Sequence, residues 1–600
     1  MYASYINSAL DALDSNNGVQ LDKVADQISL PKSHPEHITP NHLSTILTTL
    51  TNNISRLDSK FANNIIFAII NYHKWWTLDT QIIMVFKNFI TTLCSYLPKW
   101  WAEISSVLIN QFTLSSTKTQ YHHELLRYFI SIIPTSVHSL NKQLTKHFPN
   151  KHSHKHEIVN YVSNLLILND YCTELRFNIW SLIIERSIQI DVELQNELDE
   201  LDDDDSDLDL DDGASDTDDS DDSDNDDDDK ASRRVHFAVG TIGGDNDEEG
   251  DDMSDDSDDS DDDDMDEEEN INGGNIQTAN IVELSEKLDS ILCMVFDNLQ
   301  NTRNDDDAVV LCNILTSLFK SHVLPTYYTK STQFIMFLFT QLSPEFMDSF
   351  LVTLVDLSFA PEESIEKRIK ALQYLSSYLA RAKMLQTSQI ISILNFLMNW
   401  LNKFVEEREI EIVNGVNMDR FKLFYSTFQV LLYVFCFRHS LLKTDDDDWV
   451  LGLDKFFQRM VITKFNPLKF CNENVVLMFA KIAQEENVAY CFSIIQKNKN
   501  ERLKGISGTK LSVSSGDSSN SKLNLAKQQF VDLEGYFPFD PLFLKESKKE
   551  IRDYYIEWST ISRDYESDTD DFDDLANDAK EAVRRNSMNV DDDDDYDSDS

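Results

Sequence analysis

Along the first two hundred residues, apolar positions recur at intervals of three and four, the period of a helix that buries one face. Leu43, Ile46 and Leu50 form one such set. Ile65, Ile66, Ile69 and Ile70 form another, and Ile82, Ile83, Val85 and Phe86 a third. Leu125, Leu126, Tyr128, Phe129 and Ile132 continue the series, and Pro134 predicts where that helix stops, because proline brings no backbone donor. Stripes through Ile158–Leu168 and Leu175–Ile190 follow. Pro31, Pro35 and Pro40 predict a break over 31–41. Residues 1–195 therefore read as an N-terminal helical-repeat half.

Periodicity returns near 280. Over 364–385, Ile365, Ile369, Leu372, Leu375 and Leu379 predict a helix with one apolar face. Over 420–437, Phe421, Phe424, Tyr425, Phe428, Leu431, Leu432 and Phe435 make a stripe too wide for a single contact, which predicts packing on two sides. Ser343-Pro344-Glu345 is a helix-start signal, and Asp540-Pro541 predicts a second one ahead of Leu542–Trp558. No strict repeat consensus is present. A succession of apolar helices predicts an all-α fold of degenerate, HEAT-like helical repeats forming a solenoid. The expected parts are a C-terminal helical half over 278–502, a Ser/Gly/Lys-rich loop over 503–528, a helical segment over 529–562 and a tail over 563–600.

Charge changes the picture of two segments. The formal net charge is −52, but residues 197–269 hold 39 acidic and 3 basic residues, and 566–600 hold 15 and 3. The rest of the chain is nearly neutral. Residues 196–277 have too little apolar content to offset chain entropy, so the acidic insert is expected to be disordered, as is the acidic tail. The seven cysteines are scattered without a C-x-x-C pair, which predicts free buried thiols in a reducing compartment. No apolar run reaches the ~18 residues a bilayer span requires, and the N-terminus does not read as a secretory signal, so no membrane partner is expected.

The chemistry of an enzyme is missing. There is no phosphate-cradling glycine loop. His122-His123-Glu124 has Arg127 where a zinc protease needs its second histidine. His147, His152, His154 and His156 read as a solvated basic loop beside Lys146, Lys151 and Lys155. No catalytic residue, cofactor or metal is expected. Direct sequence-specific DNA binding is not expected either, because no long Lys/Arg stripe appears.

Three features are candidates for recognition. The first is hydroxyl-bearing surface on the N-terminal half: Ser115 and Ser116 with Thr117–Thr119, then Thr135 and Ser136 at the head of an acid-free stretch over 135–156. Phosphate added there brings about −1.5 to −2 charge and would oppose docking on an acidic partner. Ordinary loop composition is the competing reading. The second is the insert, where Ser206, Ser215, Ser223 and Ser260 each have aspartate three positions on, as acid-directed kinases require. The insert reads equally as a solubilising tail. The third is Arg234-Val235-His236-Phe237, an [RK]-V-x-F pattern whose Val235 and Phe237 share one face of an extended chain and which suits phosphatase docking. A chance match explains so short a motif as well.

Longer stretches carry a family resemblance. They are Pro325-Thr-Tyr-Tyr328, Met347-Asp-Ser-Phe-Leu-Val-Thr-Leu354, Ala371-Leu-Gln-Tyr-Leu375, Phe424–His439, Phe465–Asn474, Val488–Ile495 and Tyr536–Lys545. Tyr161-Val-Ser-Asn-Leu-Leu, Asp170-Tyr-Cys-Thr-Glu-Leu175 and Ile190-Asp-Val-Glu-Leu-Gln-Asn-Glu-Leu198 join them. In this order they resemble the RNA polymerase I-specific transcription initiation factors of the fungal type. The resemblance implies a HEAT-repeat factor that binds RNA polymerase I on its stalk side and makes it initiation-competent. It implies that the factor bridges the enzyme to the promoter-bound core factor complex at ribosomal DNA, in the nucleus and nucleolus. It also implies a polymerase-facing patch whose phosphorylation blocks binding, with Thr135, Ser136 and Thr173 at family serine positions and Ser115 and Ser116 as looser matches. A homodimer of the free protein is compatible with this reading. An acidic chaperone for histones or ribosomal proteins, acting through 197–269, is the alternative.

Overall fold

The structure is a computed structural model that describes residues 2–558 except 32–33, 134, 209–272, 303–304, 328, 413–417, 445–447, 511–532 and 534, with backbone alone over 201–208, 273–279, 305 and 502–510. Among the described residues there are twenty-two α-helices and, in place of strands, two isolated bridges. The chain divides into two compact units, Met1–Phe339 with Leu542–Glu550, and Thr340–Pro541 with Ile551–Ser600.

The first unit begins with α1 (Tyr2–Asp14), α2 (Val19–Ser29), α3 (Pro40–Asn52), α4 (Asn63–Ile70) and α5 (Thr80–Tyr96). Each helix packs on the next but one, α1 on α3, α3 on α5 and α2 on α4, as repeated helical hairpins do. Two of the apolar sets identified from spacing face inward, since Leu43, Ile46 and Leu50 are fully buried, as are Ile65, Ile66 and Ile69, whereas Tyr128 and Ile132 of the set at 125–132 are exposed. Pro40 opens α3 at its first turn, where a missing donor costs nothing. The unit continues through α6 (Trp101–Asn110), α7 (Gln120–Ile132), α8 (Ser136–Lys146), α9 (Lys155–Tyr171), α10 (Arg176–Leu208), α11 (Gly273–Gln300) and α12 (Asp305–Leu318).

Helix α10 does not end at 195, and α11 begins before 278. Glutamate and leucine are good helix formers, so helix persists where acidity begins. The acidic insert also does not divide the two units. Helices α10 and α11 pack against each other inside the first unit, with Asn280 donating to Glu197 at 2.8 Å. The division falls at 339–340 instead. Fully buried Asp191 on α10 accepts from the amides of Ser331 at 2.9 Å and Thr332 at 2.8 Å, and from the Thr332 hydroxyl at 2.9 Å. Burial pushes its pKa up, and those donors oppose the shift.

The second unit contains α14 (Pro344–Phe359), α15 (Ile365–Arg381), α16 (Thr387–Arg408), α17 (Lys422–Arg438), α18 (Leu453–Val461), α19 (Pro467–Phe470), α20 (Glu473–Glu485) and α21 (Phe492–Lys510), after α13 (Phe334–Thr340) at the boundary. Ser343 caps α14 as expected, its hydroxyl accepting from the Glu345 amide at 3.3 Å. Helix α17 exceeds the two-sided expectation, since every residue from Leu423 to Arg438 is buried. The one-face reading of α15 is corrected in the same direction. Ile365 is 41% exposed, whereas Lys370–Arg381 are buried apart from Gln373. Helix α21 runs to Lys510, past the expected start of a loop at 503, and the rest of that loop lies outside the described residues up to 532.

Residues 535–558 depart most from expectation. Asp540-Pro541 does not start a helix; the segment holds α22 (Lys545–Ile551) and a 3-10 turn at Arg552–Tyr554. The Asp540 carboxylate is engaged elsewhere, accepting from Arg381 at 3.3 Å and from the Tyr433 hydroxyl at 3.1 Å. Helix α22 takes its cap from another element of the first unit, as Asp289 on α11 accepts from the amides of Glu546 at 2.9 Å and Ser547 at 2.8 Å.

All seven cysteines are free, and all but Cys293 are buried. Burial pushes the Cys94 and Cys491 thiols up to about 12, which suits inert core thiols. No helix among the described residues is long and apolar enough to cross a membrane.

Candidate recognition surface

The hydroxyl-bearing positions lie on α7, α8 and the connections around them, and one buried asparagine organises these elements. Asn164, fully buried on α9, donates to the carbonyls of Phe112 and Leu114, each at 2.9 Å. Those contacts orient its amide, so its oxygen is the acceptor for the Thr119 hydroxyl at 2.6 Å and for His123 Nε2 at 3.0 Å. His123 therefore carries its proton on Nε2, and its Nδ1 accepts from the Tyr171 hydroxyl at 2.9 Å. Arg127, one turn along α7, lies over the Tyr171 ring at 4.7 Å. The loop before α7 and the turn after α9 are thus fixed to one helix. Burial lowers the pKa of His123, with Arg127 adding to the effect, so the neutral tautomer is the stable one.

On this frame Ser115 and Ser116 are half-buried in the loop, with the Ser115 and Thr117 hydroxyls 3.1 Å apart. Thr135 is exposed at the N-cap of α8, and its hydroxyl makes no cap bond. Thr173 is exposed in the turn entering α10, its hydroxyl 3.4 Å from Glu174. That turn packs against α8. Ser136 is corrected. It is fully buried in the first turn of α8 with no hydrogen-bond partner for its hydroxyl, so it cannot share the surface with Thr135. A serine pair on a helix start points in two directions, and the exposed member is the cap.

The basic loop is partly occupied from within the unit. Lys151 pairs with Glu193 at 2.7 Å and Lys155 with Glu286 at 3.2 Å, while Lys142 and Lys146 are exposed. His147 bonds Ser106 at 2.8 Å and Asn110 at 3.1 Å, and no metal-holding cluster occurs among the described residues. Ser206 lies in the terminal backbone of α10. Ser215, Ser223, Ser260 and the motif Arg234, Val235 and Phe237 lie outside the described residues.

Sequence reasoning missed the Asn164 hub. Its signal was a polar residue inside the apolar run Ile158–Leu168, with Thr119 and His123 one turn apart opposite it.

Residues 1–563 match the family model described as RNA polymerase I specific transcription initiation factor RRN3. The RNA polymerase I-specific transcription initiation factor RRN3 of Saccharomyces cerevisiae is 49% identical over 586 residues, 95% of this chain and 92% of the relative. The protein of the same description in Schizosaccharomyces pombe is 26% identical over 95% of this chain and 90% of the relative. The crystal structure of RNA polymerase I transcription initiation factor Rrn3 superposes with a TM-score of 0.74 at 43% identity, covering 94% of this chain and 99% of that one. The chain belongs to the family of RNA polymerase I-specific transcription initiation factors.

Proposed function

We propose that this protein binds RNA polymerase I, makes it competent to initiate, and bridges it to a promoter-bound core factor at ribosomal DNA. Family membership over nearly the whole chain is the observation that carries this reading. Its place of action is the nucleus, in the nucleolus, and its role is that of a protein-binding scaffold and not of a catalyst. The polymerase-facing patch comprises Ser115, Ser116, Thr135 and Thr173. The supporting features are their exposed or half-exposed hydroxyls and their rigid mounting on the Asn164 network.

Phosphorylation is the proposed off-switch. Thr135 sits at a helix N-terminus and Thr173 just ahead of one, where negative charge is favourable by about 0.3–1 kcal/mol. Glutamate at either position should therefore leave the fold intact and act on docking alone. The test is co-sedimentation of purified protein with RNA polymerase I. Thr135→Glu with Thr173→Glu should weaken binding at least tenfold at unchanged melting temperature. Unchanged affinity would reject the patch; a wild-type protein that binds no polymerase I would reject the function. Ser136→Glu is the contrasting variant, since it forces a carboxylate into a buried site and should destabilise the protein by several kcal/mol.

A further inference from the structure

The outward side of α7 carries Arg127, Tyr128, Ser131 and Ile132, all exposed. Tyr128 and Ile132 are one turn apart and present 40% and 50% of their surface to solvent. The Arg127–Tyr171 contact brings the turn at Thr173 alongside this face, and Phe177, 45% exposed, follows one helical turn after Thr173. Three large apolar side chains therefore stand among the hydroxyls of Thr135 and Thr173.

On the α7–α8 side the charge is one-sided, whereas Asp170 and the exposed Glu174 stand beside Thr173 and Phe177. From Ile104 to His156 the chain has one acidic residue, Glu124, against six lysines and arginines. Glu124 is held by Lys87. Lys118, Lys142 and Lys146 are exposed. In a chain of net charge −52, this makes α7, α8 and the loop before α7 an electropositive flank beside the apolar anchors.

We propose that Tyr128, Ile132 and Phe177 are the apolar anchors of the docking surface, and that their occupant is a polymerase I segment presenting apolar side chains within an acidic rim. This rests on the docking reading above and adds what supplies the affinity. A few central aromatic and aliphatic residues dominate most interfaces, while rim charges set association rate and salt dependence. It also gives the off-switch a mechanism: a phosphate on Thr135 or Thr173 beside the anchors must be desolvated and meets an acidic rim.

The test uses the full chain and purified RNA polymerase I. Tyr128→Ser, Ile132→Ser and Phe177→Ser should each weaken binding about tenfold or more, by similar factors at about 0.1 M and about 0.4 M salt. Lys142→Ser with Lys146→Ser should weaken it mainly at low salt. Met84→Ser and Ile462→Ser, which change apolar residues 58% and 74% exposed on α5 and just after α18, should have no effect. If Phe177→Ser lowers the melting temperature, Tyr128→Ser and Ile132→Ser decide alone. Wild-type affinity in those two, with Thr135→Glu and Thr173→Glu still defective, overturns the anchors and leaves the patch standing. If the anchor variants change only self-association of the free protein, the occupant is a second copy and the proposal fails. A wild type that does not bind polymerase removes the docking reading itself.

Discussion

At the scale of single residues, the frame under the proposed patch rests on polar side chains buried without charge. Asn164 serves three carbonyls, a hydroxyl and an imidazole at once, so truncation strands several partners. Asn164→Ala should cost about 3 kcal/mol, read as a lowered melting temperature, and should loosen the 111–119 loop to proteolysis. Retained stability would show that water replaces the amide. His122 is the pH-sensitive neighbour. It is fully buried against Trp75 and bonded to Gln111 at 2.6 Å, and burial, reinforced by His123, pushes it down to about 3. The unfolded chain takes up this proton near pH 6.5 and the folded one does not, so its stability is retained above pH 6.5 and lost on acidification. The loss from His122 is about 1.4 kcal/mol per pH unit between there and about pH 3. Denaturation midpoints at pH 7 and pH 5 should converge in His122→Gln, and an unaltered slope would assign the effect elsewhere. Neither role could be read from sequence. Two adjacent histidines looked like an incomplete metal motif, and only three-dimensional packing shows that one is a core residue and the other a hydrogen-bond relay.

At the scale of elements, helical periods were legible wherever one face was buried and the other wet. The spacing of Leu43, Ile46 and Leu50 located α3, and α7 ends at Ile132, ahead of the expected stop at 134. Helices buried on every side carry no such contrast, which is why α15 passed for a surface helix. What covers α15 and α17 lies far away in sequence. The Phe537 ring stacks on Tyr433 at 3.9 Å, and Phe539 packs edge-on against Tyr374 at 5.5 Å. The Phe539 amide donates to Ser377 at 3.3 Å, and the Tyr555 hydroxyl donates to the Phe539 carbonyl at 2.9 Å. Among the described residues Arg438 has no carboxylate partner; buried, it caps the end of α15 through the carbonyls of Leu379 and Ala382, and burial lowers it to about 10. Asp540-Pro541 misled because a helix-start signal and a half of an ion pair use the same residue. Phe539→Ala should therefore cost about 3–5 kcal/mol, as a core residue does, although Phe539 stands in a turn outside any helix. A loss under about 1 kcal/mol on denaturant unfolding would show that the segment is accessory.

At the scale of the whole molecule, net charge and function separate. Removing residues 209–272 takes away thirty-one acidic and three basic residues, leaving a formal charge of −24 instead of −52. The flanking helices do not depend on that segment for their pairing, because Asn280 meets Glu197 and Lys155 meets Glu286 within the unit itself. A short Gly/Ser linker between α10 and α11 should therefore preserve the melting temperature. The proposed anchors and hydroxyls all lie between 115 and 177, outside the deleted segment, so polymerase binding should survive the deletion. Its salt dependence should change, because the negative charge of that segment repels an acidic partner and slows encounter. The expected outcome is faster association at low salt, with dissociation unaltered. If the deletion abolished binding at full thermal stability, specificity would reside in the acidic segment, and the near-neutral helical surface would be reduced to a scaffold that presents it.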